Sequence, residues 1–368
     1  MHAPFQPTIE SLISPSAVSC RTSIVVTACA AAIFVGVTAA STSCPGDLDN
    51  SGVVDSGDLA LALLVWETSD TAADLDGDGT VAGSDIGLIL TTWGPCLPNL
   101  YSLACARTLV ADSSARVASA AIQEASGIAA SQNHAGVFWV HNDSGDSARI
   151  FAVSRTGADL GTWRVPNASA LDWEDIAIGP GVSPGTTALY IADIGNNSLA
   201  RTTVVVYRVA EPDPTTGGGT TANPEVLRLT YSDGPHNAEA LLVDPNDGSI
   251  VVVTKESSGN AGIYTATPSW GSSVVLTRVG QISLGAGTLV TAGDVAPDGK
   301  TIALRTYGSL LVFDRPAATS IATALGGARC LAQVASEPQG EAVAFLADSL
   351  GYITVSEGNN PKLNVFSR

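Results

Sequence analysis

Short apolar segments separated by turns of Gly, Asp, Asn and Pro fill the chain from residue 105 to residue 368. Their apolar residues show no helical period of useful length, and segments such as IVVVT at 250–254 have the β-branched composition of strands. One unit of such strands occurs about five times, with a spacing of roughly 45 to 65 residues. The pattern predicts an all-β domain made of repeats.

Each predicted repeat contains three or four strands. The first strands are SGIAAS at Ser126, WEDIAIG at Trp173, AEALLVD at Ala238, GDVAPDG at Gly293 and GEAVAFL at Gly340. The second strands end in polar residues and are VFWVHND at Val137, LYIADIGNN at Leu189, IVVVTKE at Ile250, TIALRTYG at Thr301 and GYITVSEG at Gly351. Antiparallel four-stranded repeats of this length are typical of β-propeller blades.

We therefore expect an all-β propeller of five four-stranded blades, or of six if one repeat has diverged. A β-sandwich is the alternative fold. The last repeat ends at Arg368 after its third strand, and ARTLVADS at Ala106 is apolar enough to provide the fourth. Ring closure would then place both ends of the domain in one blade.

Two acidic segments of twelve residues, 27 residues apart, precede the propeller: DLDNSGVVDSGD at 47–58 and DLDGDGTVAGSD at 74–85. Ca²⁺ takes about six to eight oxygen ligands, which EF-hand loops supply from alternate positions around a glycine at position six. The predicted metal ligands are Asp47, Asp49, Ser51, the Val53 carbonyl, Asp55 and Asp58, then Asp74, Asp76, Asp78, the Thr80 carbonyl and Asp85. The alternative is an acidic linker that binds no ion.

The apolar runs 59–66 and 86–93 predict one helix after each loop, with the two helices packed together. Each loop closes with Asp instead of Glu, and no helix fits between Cys44 and Asp47. In these respects residues 44–96 resemble a dockerin, a small α module with EF-hand-like loops. The resemblance implies two Ca²⁺ ions and docking onto a cohesin-like or cell-surface protein. Cellulosomal dockerins also use basic residues on their helices, and here the helices have none.

The net charge of -18 is concentrated around these loops. Residues 44–99 contain ten acidic and no basic residues, whereas residues 100–368 contain 24 acidic and 16 basic residues. The sequence has no basic patch, so nucleic acid is not an expected partner. We expect a monomer.

Residues 24–40 are apolar, follow Arg21 and end in small residues, which predicts a signal peptide at 1–40 and a secreted, periplasmic or cell-surface protein. An uncleaved membrane anchor is the alternative. Four cysteines would remain, with three possible pairings. Their positions favour Cys44–Cys96 around the loops and Cys105–Cys330 across the large domain. The predicted domains are 1–40, the calcium module 44–96, a linker 97–104 and the propeller 105–368.

The start of a first strand and the end of the second lie at one edge of an antiparallel blade, so polar residues there should meet at one mouth of the propeller. Glutamate has no special role in turns, and its recurrence at one strand position therefore favours a site. The catalytic candidates are Glu174, Glu239, Glu341 and His141. The substrate-binding candidates are Asp143, Asp193, Lys255, Arg305 and Glu357.

Five segments carry a second resemblance: HNDSGD at His141, DWEDIA at Asp172, HNAEAL at His236, QGEA at Gln339 and VSEG at Val355. Through them the large domain resembles secreted bacterial propellers of the phytase-like, esterase-like family. The resemblance implies a propeller fold and a hydrolase, and it identifies no nucleophile. The segment GVSPG at Gly181 matches a nucleophile-elbow pattern, but a strand follows it, which favours a surface hairpin.

Two functions are consistent with these patterns. The first is a secreted calcium-binding protein in which the dockerin-like module docks a propeller that binds a small molecule or glycan. The alternative is a calcium-dependent hydrolase of esters, phosphoesters or lactones, linked to polysaccharide breakdown, with its site in the channel mouth and one more Ca²⁺ in the propeller.

Overall fold

The computed structural model describes residues 44–96 and 98–368, so the predicted signal peptide lies outside the described residues. Strands form most of the regular structure, which confirms the prediction of a mainly β protein. None of the helices in the described ranges is long and apolar enough to cross a membrane.

Two helices follow the two acidic segments, as predicted. Helix α1 spans Ser56–Leu64 and helix α2 spans Gly83–Thr91. Both begin three residues earlier than predicted, because the last three loop positions belong to the first helical turn. There the carboxylates of Asp58 and Asp85 accept hydrogen bonds from the amides three residues before them, at 2.8 and 2.7 Å.

The two loop-helix segments share one small core, to which they contribute equivalent residues. Strand β1 (Val53–Val54) pairs antiparallel with strand β2 (Gly94–Pro95). The fully buried apolar side chains are Val54, Ala62, Val81 and Ile89. Val54 and Val81 are 27 residues apart, and so are Ala62 and Ile89. The predicted disulfide Cys44–Cys96 joins the ends of this region.

The large domain consists of five four-stranded antiparallel units. Unit one comprises β4 (Ala125–Ala130), β5 (Val137–Asn142), β6 (Arg149–Ser154) and β7 (Asp159–Arg164). Unit two comprises β8 (Trp173–Pro180), β9 (Thr187–Asp193), β10 (Val204–Ala210) and β12 (Glu225–Tyr231). The short strand β11 (Gly219–Thr220) pairs with β7.

Unit three comprises β13 (Ala238–Val243), β14 (Ile250–Thr254), β15 (Asn260–Ala266) and β16 (Ser273–Ser283). Unit four comprises β17 (Val290–Val295), β18 (Thr301–Thr306), β19 (Leu310–Asp314) and β20 (Arg329–Leu331). Unit five comprises β21 (Gly340–Phe345), β22 (Gly351–Ser356), β23 (Leu363–Ser367) and β3 (Val110–Asp112). The parallel pair β12–β16 joins units two and three at their outer strands.

The first strands of the five units are neighbours in a closed cycle. Strand β4 contacts β8, and the contacts continue through β13, β17 and β21 back to β4. The buried Asp175 links three units, because its carboxylate accepts hydrogen bonds from Leu241 N at 2.9 Å and from Gly293 N at 3.1 Å. The cycle thus brings the five strand starts around a common centre.

The segment ahead of unit one completes unit five, as predicted. Strand β3 pairs antiparallel with β23, with Asp112 opposite Val365. The predicted disulfide Cys105–Cys330 is present.

Helix α3 spans Leu100–Ala106 and so begins inside the predicted linker 97–104. Its Leu100 and Ala104 lie on one helical face and are buried in the core of the large domain. A short helix α4 (Ile321–Ala324) lies between β19 and β20, and a 3₁₀ turn spans Pro214–Thr216.

Candidate functional site

A β-bulge interrupts the first strand of every unit at the same place. In each first strand the bulge leaves one residue without a partner in the register, and these residues are Ser126, Glu174, Glu239, Thr291 and Glu341. Bulges leave one residue unpaired and re-aim its side chain, and they are common beside binding sites. The three glutamates predicted from their recurrence are therefore structurally equivalent. The two hydroxyl residues instead donate to the next first strand, to Glu174 O at 2.8 Å and Gly340 O at 2.9 Å.

The ends of the second strands lie beside these bulges. Ala238 pairs with Thr254, and Gly340 pairs with Ser356, so the residues that follow β14 and β22 lie beside the starts of β13 and β21. The predicted meeting of strand starts and strand ends is therefore observed. We call the region around Glu174, Glu239 and Glu341 the mouth.

An ion pair occupies one side of the mouth. Lys255 Nζ contacts the Glu239 carboxylate and donates a hydrogen bond to Tyr307 Oη at 2.8 Å. The Glu239 side chain is 5% exposed and the Lys255 side chain is 14% exposed. Tyr307, which directly follows β18, was not among the predicted site residues; its position at the end of a second strand was the available signal.

An amide bridges two other predicted residues. Gln339 Nε2 donates to Glu341 Oε1 at 2.8 Å and to Glu357 Oε2 at 2.7 Å. Gln339 also lies outside the predicted set, although it immediately precedes β21. The bridge fixes both carboxylates without supplying a positive charge.

Three more carboxylates converge on the remaining side of the mouth. Asp143, Asp172 and Glu174 each place an oxygen within 4.8 Å of the others. Asp143 follows β5, Asp172 precedes β8, and Glu174 occupies the bulge of β8. Asp172 begins the segment DWEDIA but was not among the predicted site residues.

Negative charge dominates the electrostatics of the mouth. Burial, followed by the charges of Glu239 and Asp143, raises the pKa of Glu174 well above its usual range. Burial raises the pKa of Glu239 although Lys255 opposes the shift, and it raises the pKa of Glu341 to about 7. The mouth therefore favours bound protons or cations.

Three predicted site residues do not present their side chains to the mouth. His141 is fully buried, its Nε2 has no hydrogen-bond partner in the described part of the chain, and burial lowers its pKa. Asp193 is buried in an ion pair with Arg201 at 2.8 Å. Arg305 is also fully buried and pairs with Glu337 at 2.8 Å, so it is not positioned to anchor a substrate.

The two acidic loops have matching internal geometry. Asp47, Asp49 and Asp58 offer carboxylate oxygens within 4.8 Å of one another, as do Asp74, Asp76 and Asp85. The first residue of each loop accepts a hydrogen bond at 2.9 Å from the glycine at position six. Three predicted carboxylate ligands are thus brought together in each loop.

The last acid of each loop is buried and held by backbone amides at equivalent positions. Asp58 accepts from the amides of residues 48, 49 and 55, and Asp85 accepts from those of residues 75, 76 and 82. Burial opposes the charge on Asp58, but these hydrogen bonds outweigh burial and lower its pKa. The hydrogen bond from Ala82 N is the main cause that lowers the pKa of Asp85.

Other predicted loop ligands are engaged locally. The Ser51 hydroxyl donates to Val53 O at 3.1 Å, and the Asp55 carboxylate accepts from Gly57 N at 2.7 Å. The Asp78 carboxylate accepts from Thr80 N at 2.8 Å.

No protein-family model matches this chain. A search of curated proteins likewise finds no significant relative. The functional interpretation of the chain therefore depends on its own residues and their geometry.

A separate cavity of about 810 Å³ is lined by residues of unit three and of the segment between β19 and β20. Its lining includes the ion-paired Asp244 and Arg315, and none of the predicted site residues. Its lining combines polar residues with buried apolar ones such as Ile250 and Ile321, and it lacks the converging carboxylates of the mouth among the described residues.

Proposed function

We propose that this chain is a secreted calcium-binding protein in which a dockerin-like module, residues 44–96, docks a ligand-binding β-propeller onto a partner. The observation that carries the calcium part is the repetition, 27 residues apart, of the same three backbone hydrogen bonds to Asp58 and Asp85. The closed cycle of first strands supports a five-bladed propeller.

A calcium titration of the full chain by calorimetry tests the loops. Replacing Asp47, Asp49, Asp74 and Asp76 together by Asn should remove two binding events relative to the parent protein, because each loop loses two of its three converging carboxylates. Glu67→Gln is the matched control, since Glu67 is an acid of the same module outside both loops. An unchanged number of ions in the fourfold variant would refute calcium binding by the loops.

Docking is supported by exposed apolar side chains that occur in equivalent pairs on the module. Leu63 and Leu90 are 54% and 55% exposed, and Trp66 and Trp93 are 40% and 48% exposed. Each pair is 27 residues apart, so the surface repeats along with the loops. Exposed apolar surface of this kind is typical of protein-binding sites.

Binding to a panel of cohesin-like and cell-surface proteins, measured in calcium and in chelator, tests the docking part. We expect Leu63→Ser combined with Leu90→Ser to abolish a calcium-dependent interaction while calcium binding is retained. Binding that survives both substitutions would place the docking surface elsewhere.

A hydrolase is the second candidate, favoured by the pairing of Lys255 with protonatable glutamates. Glu341, with its pKa near 7, and Glu239 have the raised pKa values that suit a general acid or base, and Lys255 can contact an anionic substrate. Aryl ester, aryl phosphate and lactone turnover should be measured with the parent protein and with Glu239→Gln. Turnover that Glu239→Gln leaves unchanged would exclude this role.

A further inference from the structure

Glu174 differs from every other buried acid in the described residues. Eight acidic residues in the ranges 44–96 and 98–368 are buried as whole residues, and seven of them have a hydrogen-bond or ion-pair partner for their carboxylate: Asp58, Asp85, Asp175, Asp193, Glu239, Asp244 and Glu341. Glu174 is 3% exposed, and within the ranges 44–96 and 98–368 its carboxylate has no such partner. Burying a carboxylate without a partner costs free energy, and a bound ligand that pairs with Glu174 would offset this cost.

The neighbours of Glu174 increase this cost. Asp143 and Asp172 bring two more carboxylates within 4.8 Å, and the described residues supply no ion pair to either. Asp143 accepts one hydrogen bond, from the adjacent Ser144 N. The basic side chains near the mouth are engaged elsewhere, Lys255 with Glu239 and Arg201 with Asp193.

The backbone beside these acids leaves them the space to converge. A Cβ atom added at Gly195 would lie 2.2 Å from Glu174 Oε1 and 2.4 Å from Asp172 Oδ2. Gly195 is not among the glycines with positive φ, so its backbone conformation does not require glycine. The absence of a side chain at this position is explained by the two carboxylates that occupy its place.

We propose that Asp143, Asp172 and Glu174 bind a hard divalent cation, with Ca²⁺ as the expected ion, at the mouth of the large domain. Carboxylate oxygens are the ligands that Ca²⁺ prefers, and the partly exposed Asp143 and Asp172 leave access for water to complete its coordination. The cation would compensate the charge of Glu174, the one buried acid without a partner in the part of the chain that the structure describes. This site is separate from the two acidic loops, so it stands independently of the calcium proposed there.

The test is a CaCl₂ titration of the full chain by calorimetry, with four proteins compared. Glu174→Gln and Gly195→Ala should each bind one ion fewer than the parent protein. The control is Glu124→Gln, which removes an exposed acid close to the site: the Glu124 backbone carbonyl accepts a hydrogen bond from Asp143 N. This variant should bind as many ions as the parent protein. If Glu174→Gln fails to fold, Asp172→Asn repeats the test at a partly exposed ligand.

The melting temperature provides a second test, because the difference between Glu174→Gln and the parent protein should change between chelator and calcium. In chelator, Glu174→Gln should melt at or above the parent temperature, because a buried uncompensated charge has been removed. In calcium, the parent should gain a stabilisation from this site that the variant lacks. A destabilised variant under both conditions, with the parent number of ions, would overturn the proposal.

The loops can be separated from this site in the same experiment. A protein with both loops disabled should still bind one ion, and adding Glu174→Gln should remove it. If the loop proposal alone is wrong, the parent binds a single ion that Glu174→Gln abolishes. If the mouth proposal is wrong, Glu174→Gln binds as many ions as the parent.

Discussion

Replacing Lys255 by Met would leave Glu239 without the only cation that contacts it in the described part of the chain. Lys255 is also the one donor of a hydrogen bond to the Glu239 carboxylate there, and the Glu239 side chain is 5% exposed. Methionine retains much of the apolar length of the lysine and none of its charge. We therefore expect the variant to be less stable than the parent protein.

The magnitude follows from the burial of the pair. Removing one partner of a buried ion pair costs about 3–5 kcal/mol when the other charge remains buried. Lys255 is 14% exposed at the mouth, so we expect the lower end of this range, about 3 kcal/mol, at pH 9, where Glu239 of the parent protein is mostly ionised. Burial raises the folded-state pKa of Glu239 to about 8 in the parent protein, and removing Lys255 should raise it further. Both proteins therefore hold this proton at low pH, and the loss caused by Lys255→Met should grow as the pH rises through about 8.

A double-mutant cycle in chelator separates the pair from its surroundings. Glu239→Gln should cost at most about 1 kcal/mol, because Lys255 keeps its hydrogen bond to Tyr307 and because the raised pKa of Glu239 means that ionising it destabilises the fold. The double variant buries no unpaired charge, so it should be about 1 kcal/mol more stable than Lys255→Met, which gives a coupling of about 2 kcal/mol. Urea unfolding followed by tryptophan fluorescence at pH 5 and pH 9 measures all four proteins. Additive losses, or a Lys255→Met loss equal at both pH values, would refute the reasoning.

Three further predictions concern stability. Burial raises the pKa of Glu341 from 4.5 to about 7, so the free energy of unfolding of the parent protein should fall by up to about 3 kcal/mol as the pH rises from 4.5 to 7. Glu341→Gln should therefore melt at a higher temperature than the parent at pH 8 and at the same temperature at pH 4. The double variant Cys105→Ser, Cys330→Ser lacks the disulfide that closes a loop of 225 residues, so its free energy of unfolding in urea should be lower by about 5 kcal/mol. A loss below about 1 kcal/mol would contradict this loop-closure estimate. Asp175→Ala removes two hydrogen bonds between units and should cost about 2–4 kcal/mol in the same assay, whereas Asp159→Ala at an exposed position should cost almost nothing.

The strands were predictable because each carries its own apolar pattern. The segment IVVVT forms β14 at the predicted place, and ARTLVADS provides β3 for unit five. The loops were predictable as repeats because acids, glycines and following apolar runs all recur at a period of 27. The early start of α1 was missed because Asp58 belongs both to the loop and to the first helical turn.

The mouth was only partly predictable, since a sequence position fixes the end of a strand but not the partner of a side chain. Asp143 and Asp193 both lie at the end of a second strand, yet Asp193 is paired with Arg201, eight residues later. Arg305 is paired with Glu337, which belongs to the segment before the next unit. Gln339 is uncharged and does not recur in the other repeats, and only its hydrogen bonds to two carboxylates identify it as part of the mouth.

The disulfide between Cys105 and Cys330 has a mechanical consequence. If residues 44–96 hold the protein on a surface, a pulling force reaches Cys105 before it reaches β3. The force then passes through the disulfide to Cys330 in β20, and the three-residue strand that closes the ring lies outside its path. Reduction of this bond would put β3 directly under tension. In a tethered molecule the pairing of β3 with β23 in unit five should then open at much lower force than in the oxidised protein.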